Sequence, residues 1–235
     1  MTAVYLRELR SYFITPIGYI YAAMFLAVSG LLFGMTTLMT MSTTSLAEYF
    51  IYLMGVFCIL IPLLTMKLLS DERRTKTEQL MLTSPVSLFG MIMGKYLASL
   101  TVFAATLLLN SFNFFLLYMY GTPNGAIIAA NVLGLFFLGA AFIAVGTFLS
   151  SITENQLIAA VSAIAAIGLL ILISFLADKI PIEWVRNIID WFSVLSRYAP
   201  FTNGQLDISA IIYFISFAAV FLFLTVRVYE KRRWS

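Results

Sequence analysis

The chain has 235 residues, of which 62% are apolar and 11% charged, with no histidine and a single cysteine. A soluble domain is roughly 45–50% apolar and about 25% charged, so an ordinary soluble fold is excluded, as are His-based acid–base or nucleophilic mechanisms and most metal centres. Cys58 alone forms neither an internal disulfide nor a CxxC motif, and a net charge of +3 is too small to point to nucleic acid.

Taken in chain order, residues 1–16 come first. Val4, Leu6, Leu9, Tyr12 and Phe13 alternate with Arg7, Glu8, Arg10 and Ser11. That pattern predicts a short amphipathic helix lying in the membrane interface and stopping near Thr15-Pro16; a frayed tail is the plainer alternative. A helix crosses the hydrocarbon core with about 20 mostly apolar residues, and six stretches qualify: 17–39, 49–69, 96–120, 126–149, 156–177 and 208–226. The first exceeds the 7–15 apolar residues of a signal peptide and lacks a cleavage site, so it is read as a retained span. Residues 96–153 hold no Asp, Glu, Lys or Arg and must contain two spans, with the turn at 121–125 where Gly, Pro and Asn cluster. With both termini on one side, eleven of the fourteen Lys and Arg fall on that side, which makes it cytoplasmic by the positive-inside rule.

The densest polar segment is the loop at 70–95. Glu72–Lys76 and Arg74–Glu78 have the i,i+4 spacing of helical ion pairs, Leu80, Met81 and Leu82 follow as an apolar patch, and Thr83-Ser84-Pro85 breaks the chain. Ser84 or Ser87 can cap the next helix. An ordinary solvated loop explains the charges equally well. On the opposite side, 178–207 places Pro181, Trp184, Val185, Ile188, Trp191 or Phe192, Leu195 and Tyr198 at helical intervals, an amphipathic segment that lies on the outer surface or dips into it. Trp184, Ile188, Trp191, Phe192 and Leu195 are candidates for an outer gate; a simple anchoring loop is the alternative.

Chemistry intrinsic to the chain is hard to find. Residues 90–96 superficially resemble a phosphate loop, but only three residues separate Gly90 from Gly94 and Tyr96 replaces the Ser or Thr that binds magnesium. The Gly90/Gly94 and Gly30/Gly34 pairs are better read as close helix packing, as are the small residues Gly134, Gly139, Ala140, Ala141, Ala144 and Gly146 of the fourth span. Glu48 and Lys67 sit near span ends. Asn110, Asn113 and Asn131, the most polar groups deep in spans, are expected to bond neighbouring helices rather than line a pathway. No motif of an intramembrane protease or hydrolase occurs.

The run Glu72-Arg73-Arg74, Thr77-Glu78, Leu80-Met81-Leu82-Thr83-Ser84-Pro85-Val86-Ser87 resembles the loop between spans 2 and 3 of ABC-2 type transporter permeases. Gly94-Lys95-Tyr96-Leu97-Ala98 is similar to the opening of their third span. Phe201, Gly204, Asp207 and Tyr213 resemble the opening of their last one, and within the superfamily the gliding-motility and copper-maturation permeases are most similar. Gln79 departs from the hydrophobic or acidic residue expected there.

The resemblance implies an all-α membrane protein forming one domain over 1–235, with six transmembrane helices, an N-terminal interfacial helix and a cytoplasmic coupling helix between spans 2 and 3. It implies the permease subunit of a bacterial ABC exporter in the cytoplasmic membrane, working with a second permease subunit, most simply as a homodimer. It has no catalytic residues of its own and binds no cofactor or metal. ATP and magnesium belong to a separate cytosolic P-loop ATPase, which would dock on Glu72, Arg73, Arg74, Thr77, Glu78, Leu80, Leu82, Thr83, Pro85 and Val86. Membrane lipid and an extracytoplasmic accessory protein are further expected partners. A non-transporting scaffold of an envelope machine and a secondary carrier are the competing readings.

Overall fold

The computed structural model describes residues 1–38, 46–77, 87–120, 123–177, 184 and 193–233. Helix α1 (Thr2–Ile14) ends at Thr15, whose extended backbone leads into Pro16 at the first turn of α2 (Pro16–Phe33). Proline lacks the N–H that a first turn leaves unused, so it starts a helix and disfavours helical geometry in the residue before it. The first span continues as a π-helical turn, Gly34–Leu38. Helix α3 (Leu46–Thr65) is the second span, followed by turns and the five-residue α4 (Ser70–Arg74).

The third span begins at Leu88 rather than at position 96. Helix α5 (Leu88–Asn110) is capped by the Ser87 hydroxyl, which accepts the Gly90 N–H at 3.2 Å, and after Ser111 it continues as α6 (Phe112–Tyr120). The fourth, fifth and sixth spans are α7 (Gly125–Ile152), α8 (Gln156–Ala177) and α10 (Ile208–Arg233); the short α9 (Val194–Thr202) precedes the last. All six long helices have the length and hydropathy to cross a membrane. The protein is an all-α, six-span membrane protein.

Helix α7 is the axis of the bundle, and α3, α5, α8, α9 and α10 all pack on it. Its small residues make this close packing geometrically feasible: a Cβ on Gly139 would fall 2.2 Å from the Phe103 ring, and one on Gly146 at 2.2 Å from the Thr65 hydroxyl. The packing expected of this span is therefore contact within one chain. Gly94 serves α1 in the same way, since a Cβ there would meet the Met1 carbonyl and Tyr5 nitrogen at 3.2 Å. Gly30 and Gly34 differ, for a Cβ on either would touch nothing within 4 Å among the described residues.

Candidate functional site

At the end of the bundle from which both termini emerge, α1, α4, α5 and the link between α7 and α8 converge. Lys95 is two turns inside α5 and its side chain is 1% exposed. An unpaired ammonium in such a place costs several kcal/mol, and this one is fully engaged. It donates to the Glu72 carboxylate of α4 at 2.8 Å, to the Glu8 carboxylate of α1 at 3.0 Å and to the Leu68 carbonyl at 2.9 Å. Arg7 reaches both carboxylates from the outer side, with Glu72 at 3.0 Å. Burial opposes the charge on Glu8, but Lys95 and Arg7 outweigh it and hold the carboxyl below the usual carboxylate range. Two cations and two anions thus bind α1, α4 and α5 to one another.

Helix α4 is fastened on its other flank as well. The Ser150 hydroxyl near the end of α7 accepts the N–H groups of Leu69 and Ser70 at 3.2 and 3.1 Å, and donates to the Met66 carbonyl at 3.2 Å. It therefore satisfies backbone groups that the break between α3 and α4 leaves without helical partners. Arg73 donates to the Ile152 carbonyl and pairs with Glu154 at 2.9 Å; Gln156 donates to Asp71 at 2.6 Å. Arg232, from the last span, donates to the Ser151 carbonyl at 2.6 Å. Tyr12 of α1, buried, donates to the Leu64 carbonyl at 2.9 Å, and the loss of solvent pushes its phenol pKa up.

These contacts revise several expectations from the sequence. Lys95 is a helix residue paired across the bundle, not a loop charge. The Glu72–Lys76 ion pair does not form: Glu72 is drawn inward by Lys95, α4 stops at Arg74, and Lys76 takes a left-handed backbone with φ 57°. Of the residues expected to face an ATPase, Glu72 and Arg73 point into the protein, while Arg74 and Thr77 are exposed. Glu78, Leu80, Leu82, Thr83, Pro85 and Val86 lie outside the described residues. The phosphate-loop resemblance at 90–96 is settled by geometry, because these residues are continuous helix and the lysine is committed to two carboxylates. Sequence reasoning missed Ser150 and Gln156, since a serine in an apolar helix and a glutamine at a helix start carry no signal of a distant partner.

The opposite end of the bundle is joined by neutral groups. Asn131 of α7 donates to the Phe201 carbonyl of α9 at 2.9 Å and accepts the Tyr198 hydroxyl at 3.0 Å. Asn110 donates to Tyr49 of α3, and Asn113 to Asn110, both at 2.9 Å. Asn110 and Asn131 therefore bond neighbouring helices, as expected, whereas Asn113 bonds Asn110 within its own span. Leu195 is half-buried with its N–H donated to Ser174 of α8 at 3.3 Å, whereas Trp184 is exposed. Ile188, Trp191 and Phe192 lie outside the described residues.

The Phe201, Gly204 and Asp207 pattern has a structural meaning here. Phe201 is fully buried, its ring filling the space left by Gly134. The N–H groups of Gly204 and Gln205 bond back to Phe201 at 3.0 Å and Pro200 at 3.1 Å, with Gly204 at φ +77°. This is the reverse turn that ends helices where only glycine sits comfortably. Asp207 then accepts the Ser209 N–H at 2.8 Å and opens the last span.

The chain matches the model of the family described as ABC-2 family transporter protein over residues 14–229. It belongs to that family. No curated protein matches the chain. As an ABC-2 family member, it is a membrane permease component of an ABC transporter, a machine in which the permease works with an ATPase subunit. The matched region begins at the last residue of α1 and includes α4, Lys95 and Glu72 of the charge cluster, and the α9 stop, while Arg7 and Glu8 precede it.

Proposed function

We propose that this permease is one half of a bacterial ABC exporter, embedded in the cytoplasmic membrane with both termini in the cytoplasm. Two such subunits would form the path, and a cytosolic P-loop ATPase carrying ATP and magnesium would drive each from the segment 74–86. The observation that carries this reading is the anchorage of α4. It is tied to α1 and α5 through Glu72, to the α7–α8 link through Asp71 and Arg73, and to α7 through Ser150. A push received through the exposed residues 74–77 therefore reaches the third, fourth and fifth spans without being absorbed by a flexible joint. The cationic excess on this end supports the orientation, and Gly30 and Gly34, facing open space on the first span, offer the second subunit a place for close approach. On the outer side, Trp184 through Leu195 would form a gate hinged on α9.

Affinity purification of the tagged permease in mild detergent tests the docking. Wild type should retain a P-loop ATPase, and the Glu78→Arg/Leu82→Glu variant should lose it. Equal retention by both would move the contact away from this loop. Absence of an ATPase from a complex shown by cross-linking in cells to survive detergent would favour a scaffold or a carrier.

A further inference from the structure

Along one side of α7, residues of α5 and α10 line a groove of about 440 Å³. Its walls are nearly all carbon: Phe89 and Leu100 on α5, Phe137 at its floor, and Phe214, Ala218 and Val226 on α10. The one hydroxyl at its edge, that of Tyr96, is already donated to the Ala140 carbonyl at 3.2 Å.

Length, volume and charge together restrict what can occupy it. From Phe214 to Val226 the groove follows α10 for ~18 Å, at about 1.5 Å per residue. That is close to one half of a hydrocarbon core of about 30 Å, and the groove lies in the half nearer the termini. Its volume equals that of roughly 15 water-sized units of about 30 Å³ each, a methylene being of similar size. One extended acyl chain matches it in length and volume. At the mouth, the Arg227 guanidinium lies over the Phe223 ring, 4.9 Å from its centroid. Exposed Lys231 follows one turn later on the same face. Among the described residues, Arg227 pairs with the Glu230 carboxylate at 2.8 Å, an exposed surface pair that contributes little.

We propose that this groove is a binding site for a single acyl chain of an anionic phospholipid, the headgroup phosphate lying against Arg227 and Lys231. The site is independent of the ATPase contact. A bound chain would complete the packing between the third and sixth spans at the level of the Lys95 cluster, so lipid composition would tune how firmly α5 is held.

The test uses the full-length permease in phosphatidylcholine liposomes doped with phosphatidylglycerol carrying a diazirine on one chain. After irradiation, the label should concentrate in peptides covering 89–100 and 214–226. Ala218→Trp, which fills the groove, should lower that labelling several-fold, and Ala219→Phe should do the same if the first variant fails to fold. Val161→Trp, equal bulk on the exposed face of the fifth span, should leave it unchanged. Diazirine phosphatidylcholine should label the groove less than the anionic probe, and Arg227→Gln should erase the difference. Label spread evenly over all exposed helices would overturn the proposal in favour of unspecific surrounding lipid. Disulfide capture of two chains through Ala219→Cys, with the groove unlabelled, would assign the face to a second copy.

Discussion

On the termini face, Lys95 is held by two carboxylates and a carbonyl, with Arg7 completing a four-charge cluster. On the far face, Asn131 performs a comparable joining task for Tyr198 and Phe201 using neutral groups alone. Both join a short helix to the side of a span, yet they differ in physical character. A charge at membrane depth costs roughly 2.5–3.5 kcal/mol on insertion scales, so the cluster is workable only where Glu8 and Glu72, each 15% exposed, retain some contact with solvent. It is strong while complete, and it fails when any partner changes protonation or moves. The amide lock is weaker per bond and indifferent to pH and salt. The charged joint is at the end where force would be received; the neutral joint is at the end that needs only to be held.

The comparison breaks most visibly at Lys95. Lys95→Met would leave Glu8 and Glu72 facing each other in a half-buried site, and loss of one partner from a buried ion pair costs about 3–5 kcal/mol. Thermal unfolding in detergent should show the largest loss of any single change discussed here. Adding Glu8→Gln and Glu72→Gln to it should recover most of that loss, because the two like charges left with Arg7 alone are then gone. Arg74→Ala, on an exposed pair with Asp71, should stay within about 0.5 kcal/mol. A triple variant no more stable than Lys95→Met alone would mean that the cluster contributes shape rather than charge.

A smaller effect is expected at the far face. Asn131→Leu keeps the volume but leaves the buried Tyr198 hydroxyl without its acceptor and the Phe201 carbonyl with the Gly204 N–H alone, a cost of about 1–3 kcal/mol. A cycle with Tyr198→Phe should recover a coupling of about 0.6 kcal/mol, the typical value for hydrogen bonds between membrane helices. Unlike the Lys95 variant, Asn131→Leu should lose the same stability at low and high salt.

Much of this was legible in the sequence, and the limits have a physical cause. Runs without charge located all six spans, and Thr15-Pro16 located the boundary between α1 and α2, because hydropathy and proline geometry act locally. The amides and the small residues of the fourth span were read as helix contacts for the same reason: in lipid a polar or small group has few other uses. Lys95 was misplaced because a charge is read as a surface marker unless its partners are known, and Glu72 and Glu8 lie 23 and 87 residues away in sequence. The start of the third span followed that error, since a lysine two turns in looked like the end of a loop. The inward turn of Glu72 was equally invisible, as i,i+4 spacing offered it Lys76 as a nearer partner, and Arg73 pairs with Glu154, 81 residues away in sequence. Gly204 was noticed only through resemblance, although a glycine just before an aspartate and an apolar run is itself a stop-and-start signal.

Acidification separates the two faces without any mutation. The folded protein holds the Glu8 carboxyl below its usual value, so the unfolded or detached α1 binds that proton more readily than the docked helix does. The cluster's contribution is therefore fully present above the usual carboxylate pKa of about 4.3. It fades as pH falls from there through the lower folded value. Hydrogen exchange of the α1 amides, corrected for the intrinsic pH dependence of exchange, should quicken over that acidic range, while those of α9 stay protected. Lys95→Met should weaken this extra acid sensitivity, because Arg7 alone then favours the charged form of the carboxylates. Equal loosening of α1 and α9 on acidification would instead mean general unfolding, and the division between a charged and a neutral joint would not hold.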